Sequence, residues 1–362
     1  MNQSQNRNRA VLLPHPADPF MFRYWLNLYN KVWASEIDHL YIYISNAHEK
    51  PIRDYMIDLC GKHNNLSVMI SEEMVDHGIA LDRLLEVVAE ENVMIIEDDG
   101  FIFKSGYVDQ CFKAIESGQY DIVGSARGSC AQEILDAAQI RWNLDYSGIG
   151  DRGPNFWPCY FWTKKAILLK TDRNFRAKHW LKGDTIPGID LYVTQDAGLI
   201  GDTFVNTSLQ LRGMVPQERI KMVPQYHGSP LDLDDYENGR NLWDGHAMWT
   251  HVGSLSSGTN GVLIDDDGRP LARRSVDHKK DSDVIPNYCN TEGERKEWER
   301  RVQWWITFLD DFTQSDDPGR SPIEVVNFAV EYSKAIYRVI KQYNLSLNAI
   351  TKRIKIYKRL GL

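Results

Sequence analysis

Apolar and polar positions alternate between two rhythms over the first third of the chain. AVLLP (10–14), HLYIYIS (39–45), LSVMI (66–70), VMIIE (93–97) and YDIVG (120–124) are short, nearly unbroken apolar runs. Such runs are expected of strands buried on both faces. Between them the period changes to that of a helix. Leu81, Leu84, Leu85 and Val88 fall at i, i+3, i+4 and i+7, as do Val108, Cys111, Phe112 and Ile115. Strands separated by helices of this length predict right-handed crossovers and an α/β fold with a mostly parallel central sheet flanked by helices.

Residues 125–190 are less regular and rich in Gly, Trp and Pro. A further helix is expected to begin near Asp202, followed by a strand at RIKMV (219–223). Residues 227–292 read as long polar loops. Loops of that length are unusual inside a compact domain and often act as lids. Beyond residue 293 the pattern is helical only. Trp298, Val302, Trp305 and Leu309 form one stripe, Val325 to Val339 a second, and Leu347, Ile350, Ile354 and Tyr357 a third. The second opens on Ser321-Pro322, a cap followed by a first-turn proline.

Composition narrows the function classes. The net charge of −8 argues against a protein that binds nucleic acid with its whole surface. The last helix departs from that balance, with Lys352, Arg353, Lys355, Lys358 and Arg359 close together. The residues 346–362 fit three roles: a solvated helix, a contact with an anionic membrane carrying a lipid-linked acceptor, or a contact with nucleic-acid phosphates. No apolar leader and no membrane-length apolar run are evident, and the five cysteines are scattered without CxxC spacing. The expectation is a cytoplasmic protein with reduced thiols, either free or peripheral to the inner face of a membrane.

The chemistry concentrates where an apolar strand runs into Glu97, Asp98, Asp99 and Gly100. Open α/β sheets bind ligands beyond the carboxyl ends of their strands. Three adjacent carboxylates repel one another and invite a hard divalent cation with substrate phosphate oxygens in its shell. An acidic turn is the plain alternative.

Strand, EDD, amphipathic helix and next strand, in this order, resemble the GT-A glycosyltransferases, specifically the EDD variant of their DXD motif in family-2-like members. The resemblance covers roughly residues 8–260 and assigns no subfamily. It implies a GT-A catalytic domain over 1–260, with a nucleotide-sugar half at about 8–125 and an acceptor half at about 126–260. A polar linker (261–292) and a C-terminal helical extension (293–362) would follow. It further implies a Mn2+ or Mg2+ ion and a nucleoside-diphosphate sugar, UDP-linked in the first instance. The acceptor hydroxyl would lie on a saccharide, a lipid-linked glycan or a hydroxymethylated DNA base.

Carried over position by position, Asp99 is the direct metal ligand, while Glu97 and Asp98 orient ribose, sugar and metal-bound water. Pro14 and Asp18 of the first loop, Asn46 after the second strand, and His77, Asp82 and Arg83 before the EDD strand are donor-site candidates. A histidine from a later loop completes the ion's shell in many such enzymes. His251 competes there with His227, and Ser254 and Ser257 would wrap phosphate oxygens. Asp202 matches one acid of the helix start that carries the base in inverting members, with Gly201 in place of the other; helix capping is its alternative role. Trp157, Tyr160 and Trp162 form either an acceptor-stacking wall or core.

Rival classes are thinner. A nucleotidyltransferase of related fold would carry a Gly-rich basic loop where PHPAD stands, and a non-catalytic sugar or nucleic-acid module needs no triple acid. Gly148 to Gly153 fits GxGxxG but runs into Pro154 without a strand–turn–helix context.

Overall fold

The structure is a computed structural model that describes residues 8–17, 19–47, 50–98, 100–102, 105–126, 130–143, 155–223, 225–226, 237–240 and 247–251. In chain order the first half holds β1 (Arg9–Pro16), α1 (Pro19–Val32), β2 (His39–Ser45), α2 (Lys50–Gly61), β3 (Leu66–Ile70), α3 (His77–Val87) and β4 (Asn92–Ile95). Then come β5 (Gly100–Ile102), α4 (Tyr107–Glu116), β6 (Ile122–Ala126), α5 (Gln132–Trp142), β7 (Phe156–Lys164) and the short α6 (Lys165–Leu168). The remainder comprises β8 (Lys178–Trp180), β9 (Thr185–Ile186), β10 (Leu191–Tyr192), β11 (Leu199–Gly201), α7 (Val205–Met214), β12 (Ile220–Val223), β13 (Gln225–Tyr226), β14 (Glu237–Arg240) and β15 (Ala247–His251).

Seven strands form the central sheet in the order β12-β6-β7-β4-β1-β2-β3. All neighbours are parallel except β7, which runs antiparallel to both β4 and β6. Strand alternation divides the apolar residues between the faces. Val11, Leu13, Leu40, Ile42, Met94 and Ile96 join one core with Trp25 of α1, Met56 of α2 and Val108 of α4. Ala10, Leu12, Tyr41, Tyr43, Val93 and Ile95 join the other with Leu81 and Leu84 of α3 and Leu211 of α7. The mostly parallel α/β architecture expected from the sequence is therefore present, with helices on both faces.

Two parts depart from expectation. β7 lies in the centre of the sheet, within the stretch that reads as irregular. Its Pro158 would be excluded from a central ladder, since it has no N–H to give. Pairing with β4 spans only Phe161–Lys164, and the register against β6 slips between Gly124 and Ala126, so Pro158 falls where the ladder is interrupted. Residues 227–292, read as loops, contain β14 and β15. These build a four-stranded sheet in the order β13-β14-β15-β5. The linker 261–292, the helices beyond 293 and the basic tail 346–362 lie outside the described residues. No described helix is long and apolar enough to cross a membrane.

Candidate active site

The carboxyl ends of β1, β2, β3 and β4 converge at one edge of the sheet, stitched by backbone hydrogen bonds. Ala17 N–H donates to the Ser45 carbonyl (2.8 Å), Asn46 N–H to Glu73 (2.9 Å) and Ala47 N–H to Ser71 (2.9 Å). Asn46 takes the left-handed conformation at φ 63°, which its short side chain tolerates and which turns the chain sharply off β2. Pro14 lies opposite Tyr43 in the β1–β2 register, two residues before the strand ends.

The acids emerge from β4 into this edge. Glu97 and Asp98 are partly buried, and the His77 imidazole Nδ1 sits 3.8 Å from Glu97 Oε1. His77 opens α3, whose cap is Asp76: its Oδ1 accepts from Gly78 N–H (2.8 Å) and Ile79 N–H (3.4 Å). Burial pushes the Asp76 carboxyl above the usual range, with His77, the two amides and Arg176 pulling the other way.

Gly100 fixes how the acidic turn ends. A Cβ there would stand 2.7 Å from Cys159 Sγ and 3.1 Å from Tyr160 Oη, so only glycine lets the chain lie this close to β7. The Trp25 indole N–H holds the Gly100 carbonyl at 2.9 Å. From Gly100 the chain enters β5, whose partner is β15. In that antiparallel register His251 lies opposite Gly100, Thr250 opposite Phe101 and Trp249 opposite Ile102. Directly opposed residues have Cα atoms about 5 Å apart. A histidine singled out from a late loop thus returns, on a strand, to the residue that follows Asp99.

Asp82 and Arg83 are both engaged with neighbours of α3. Asp82 Oδ1 accepts Phe175 N–H (3.2 Å) and its Oδ2 stands 3.8 Å from Arg176 Nε. Burial raises the Asp82 carboxyl to about 7, against the Phe175 amide and Arg176. Arg83 donates to the Tyr43 hydroxyl and lays its guanidinium over that ring, 5.4 Å from the centroid. Both residues dock α3 on its surroundings.

Asp202 precedes α7 and is partly buried. The residue at the helix cap is Phe204, at φ 71°, and Asp202 Oδ1 takes Thr203 N–H at 2.7 Å. Phe204 donates its N–H to the Phe175 carbonyl (2.7 Å) and stacks on the Phe175 ring (5.2 Å). The loop at Phe175 therefore lies between the starts of α3 and α7. Asp196 and Asp190, the other acids near this helix, are tied to Lys182 (2.6 Å) and Arg141 (3.1 Å).

Tyr160 and Trp162 are fully buried in the core on β7, 6.4 Å apart and stacked. Rings with no accessible face offer no platform for an acceptor, so of the two roles considered for them the structure favours core. Trp157 lies in the same strand. Asp18, Asp99, His227, Ser254 and Ser257 lie outside the described residues. Among those described, no three His, Cys, Asp or Glu side chains gather as a metal cage. Trp25 and Arg176 escaped sequence reasoning. Trp25 sits in the Phe22, Trp25, Leu26, Tyr29 stripe, where its apolar period hides its polar edge.

No family model matches the chain, and no curated protein matches it. Solved structures do. One is a mannosyltransferase, PcManGT from Pyrobaculum calidifontis, in complex with GDP-Man and Mn2+: 13% identical, covering 45% of this chain and 46% of that one, with a TM-score of 0.34. Another is S. aureus TarS 1-349: 14% identical, covering 46% of this chain and 50% of that one, at 0.33. The same protein in complex with UDP-GlcNAc matches at 14% identity, over 46% of this chain and 48% of that one, at 0.33. Each match spans about half of either chain.

Proposed function

We propose that the chain is a divalent-metal-dependent glycosyltransferase that takes a sugar from a nucleoside-diphosphate donor to an acceptor hydroxyl. The observation that supports this most is the pairing of β15 with β5. It brings the backbone of His251 opposite Gly100, beside a run of three carboxylates at the carboxyl end of a central strand.

The donor set suits a hard cation: Asp99 as direct ligand, His251 or His227 as its nitrogen partner, and Glu97 and Asp98 alongside. A Mn2+ or Mg2+ ion held there would neutralise the charge that develops on the leaving diphosphate. The chain's own residues do the rest. His77, next to Glu97 at the start of α3, adds positive character for a phosphate when protonated and hydrogen-bonds it when neutral. Pro14, Asp18 and Asn46 shape the loops that receive the nucleoside, and Ser254 and Ser257 close on the phosphates. In an inverting reaction Asp202 takes the proton of the acceptor hydroxyl as the new bond forms.

Thermal stability measured with a panel of nucleoside diphosphates and sugar nucleotides, each with Mn2+ or with chelator, tests the reading. Stabilisation by one nucleotide only when metal is present, lost in Asp99→Ala, is the expected result. No shift with any nucleotide sinks it.

A further inference from the structure

The candidate base is held from two sides by one short run of chain. Gly201, the residue before Asp202, closes β11 opposite Lys178 of β8. Phe204, two residues after Asp202, donates its N–H to the Phe175 carbonyl at 2.7 Å and stacks on the Phe175 ring. Asp202 and Thr203 are therefore slung between two anchored points, and both anchors belong to residues 175–178. Phe204 takes φ 71°, a conformation that a bulky residue keeps only when its surroundings impose it.

That run takes its own position from α3. Asp82 Oδ1 accepts the Phe175 N–H at 3.2 Å, so Phe175 is bound through its N–H to α3 and through its C=O to the start of α7. Asp82 Oδ2 faces Arg176 Nε at 3.8 Å. The first turn of α3 closes on the same backbone, since a Cβ on Gly78 would stand 2.6 Å from main-chain atoms of Phe175 and Arg176. This is the helix that opens on His77, 3.8 Å from Glu97. The residues just before Phe175 are bound the other way. Asp172 takes the Asn206 amide (2.7 Å) and the Asn174 carbonyl takes the Thr207 hydroxyl (3.0 Å), so the loop travels with the body of α7.

We infer that Asp82 is a positioning residue for the candidate base, setting the Asp202 carboxylate through the peptide of Phe175. The inference rests on the reading of Asp202 as the group that takes the acceptor proton. Register between the acidic side of the site and the base then passes through one side chain. A carboxylate suits that task, because it accepts an amide N–H and faces a guanidinium at once, and so is fixed in two directions. Misplacing a reacting group by about 1 Å can cost roughly a hundredfold in rate, which makes such a link consequential.

The full chain with carbon-13 in its aspartate carboxyls tests this, the Asp202 signal being assigned through Asp202→Asn and the Phe204 amide followed by hydrogen exchange. Asp82→Ala is expected to displace the Asp202 signal, leave those of Asp190 and Asp196, and speed exchange at Phe204 about fivefold, the factor for one lost hydrogen bond. Asp82→Asn, which keeps an oxygen for the Phe175 N–H, should restore both. Thr207→Val, which removes a bond between the loop and the body of α7, should leave the Asp202 signal in place. Indifference of the Asp202 signal and of Phe204 exchange to Asp82→Ala overturns the inference. So does an equal displacement in Thr207→Val, which would mark a general loosening of the loop. Should Asp82→Ala fail to fold, the wild type decides: the Phe175 and Phe204 amides must open with one common denaturant dependence, and independent opening overturns the link. Nucleotide with Mn2+ is then added to the wild type. No stabilisation sinks the glycosyltransferase reading, whereas an unmoved Asp202 signal sinks this inference alone.

Discussion

At Asp82 a single carboxylate bears on how the candidate site is held. Its carboxyl, ordinarily near 3.8, stands at about 7 because burial outweighs the Phe175 amide and Arg176. The folded chain therefore binds this proton more tightly than the unfolded chain does. The stability it supports is complete below about pH 4 and is lost as pH rises through about 7. Asp76 and Glu36, also raised by burial, tilt the curve in the same direction. Asp82→Asn keeps an oxygen for the Phe175 amide and removes the titration. Between pH 5 and 8 the wild type should lose about 2 kcal/mol relative to this variant, or roughly 5 °C in Tm, after discounting for a partly exposed side chain. Parallel pH profiles in a thermal melt would contradict the assignment. A second residue acts on the acidic turn itself. Trp25→Phe keeps an apolar ring and leaves the Gly100 carbonyl without its indole donor. Loss of about 1 kcal/mol of positioning should weaken Mn2+ binding about fivefold. An unchanged titration curve would free the turn from any dependence on Trp25.

Among the elements, α3 shows how closely its start is fitted. A Cβ on Gly78 would come within 2.6 Å of the backbone of Phe175 and Arg176, atoms that cannot swing aside. Gly78→Ala should therefore cost about 2 kcal/mol, whereas Gly61→Ala should gain up to about 1 kcal/mol. At Gly61, at the end of α2, nothing lies within 4 Å of the added carbon. Chemical denaturation of the two variants side by side separates a packing constraint from helix propensity, and equal effects would refute the close fit. The same contrast explains what the chain disclosed in advance. β1 to β4 are apolar on both faces because helices cover both, and a run such as HLYIYIS can hardly be anything else. β7 hid because Pro158 and an antiparallel direction break the expected pattern, although the proline sits where pairing lapses. β14 and β15 hid because ENGR and AMWTH show no usable alternation. β15 also pairs with β5, about 150 residues earlier in the chain, and no local signal specifies such a register. Glu97 to Asp99 stood out because acids after a buried strand are costly, while Trp25 stayed hidden inside its own apolar stripe.

Across the whole molecule, the candidate centre depends on a long-range closure. The acids belong to the first part of the chain, and His251 reaches them only through β15 pairing with β5. That pairing is made by backbone, so removing the imidazole leaves the strand in place. His251→Ala should thus keep the metal-free Tm within about a degree of wild type, since ladder hydrogen bonds persist. It should also lose about half of the stabilisation that Mn2+ plus nucleotide confers, because a ligand at 100 times its Kd adds about 2.7 kcal/mol and a tenfold weaker site adds about 1.4 kcal/mol. His227→Ala is the necessary counterpart, since it follows β13 in the same small sheet and competes for the same role. Direct titration of Mn2+ into both variants decides between them. If His227→Ala weakens binding and His251→Ala does not, the β5–β15 ladder serves to shape the mouth of the site, and the nitrogen ligand comes from the other histidine. If neither changes the affinity, the carboxylates hold the ion with substrate oxygens alone, and the return of β15 to Gly100 is architecture.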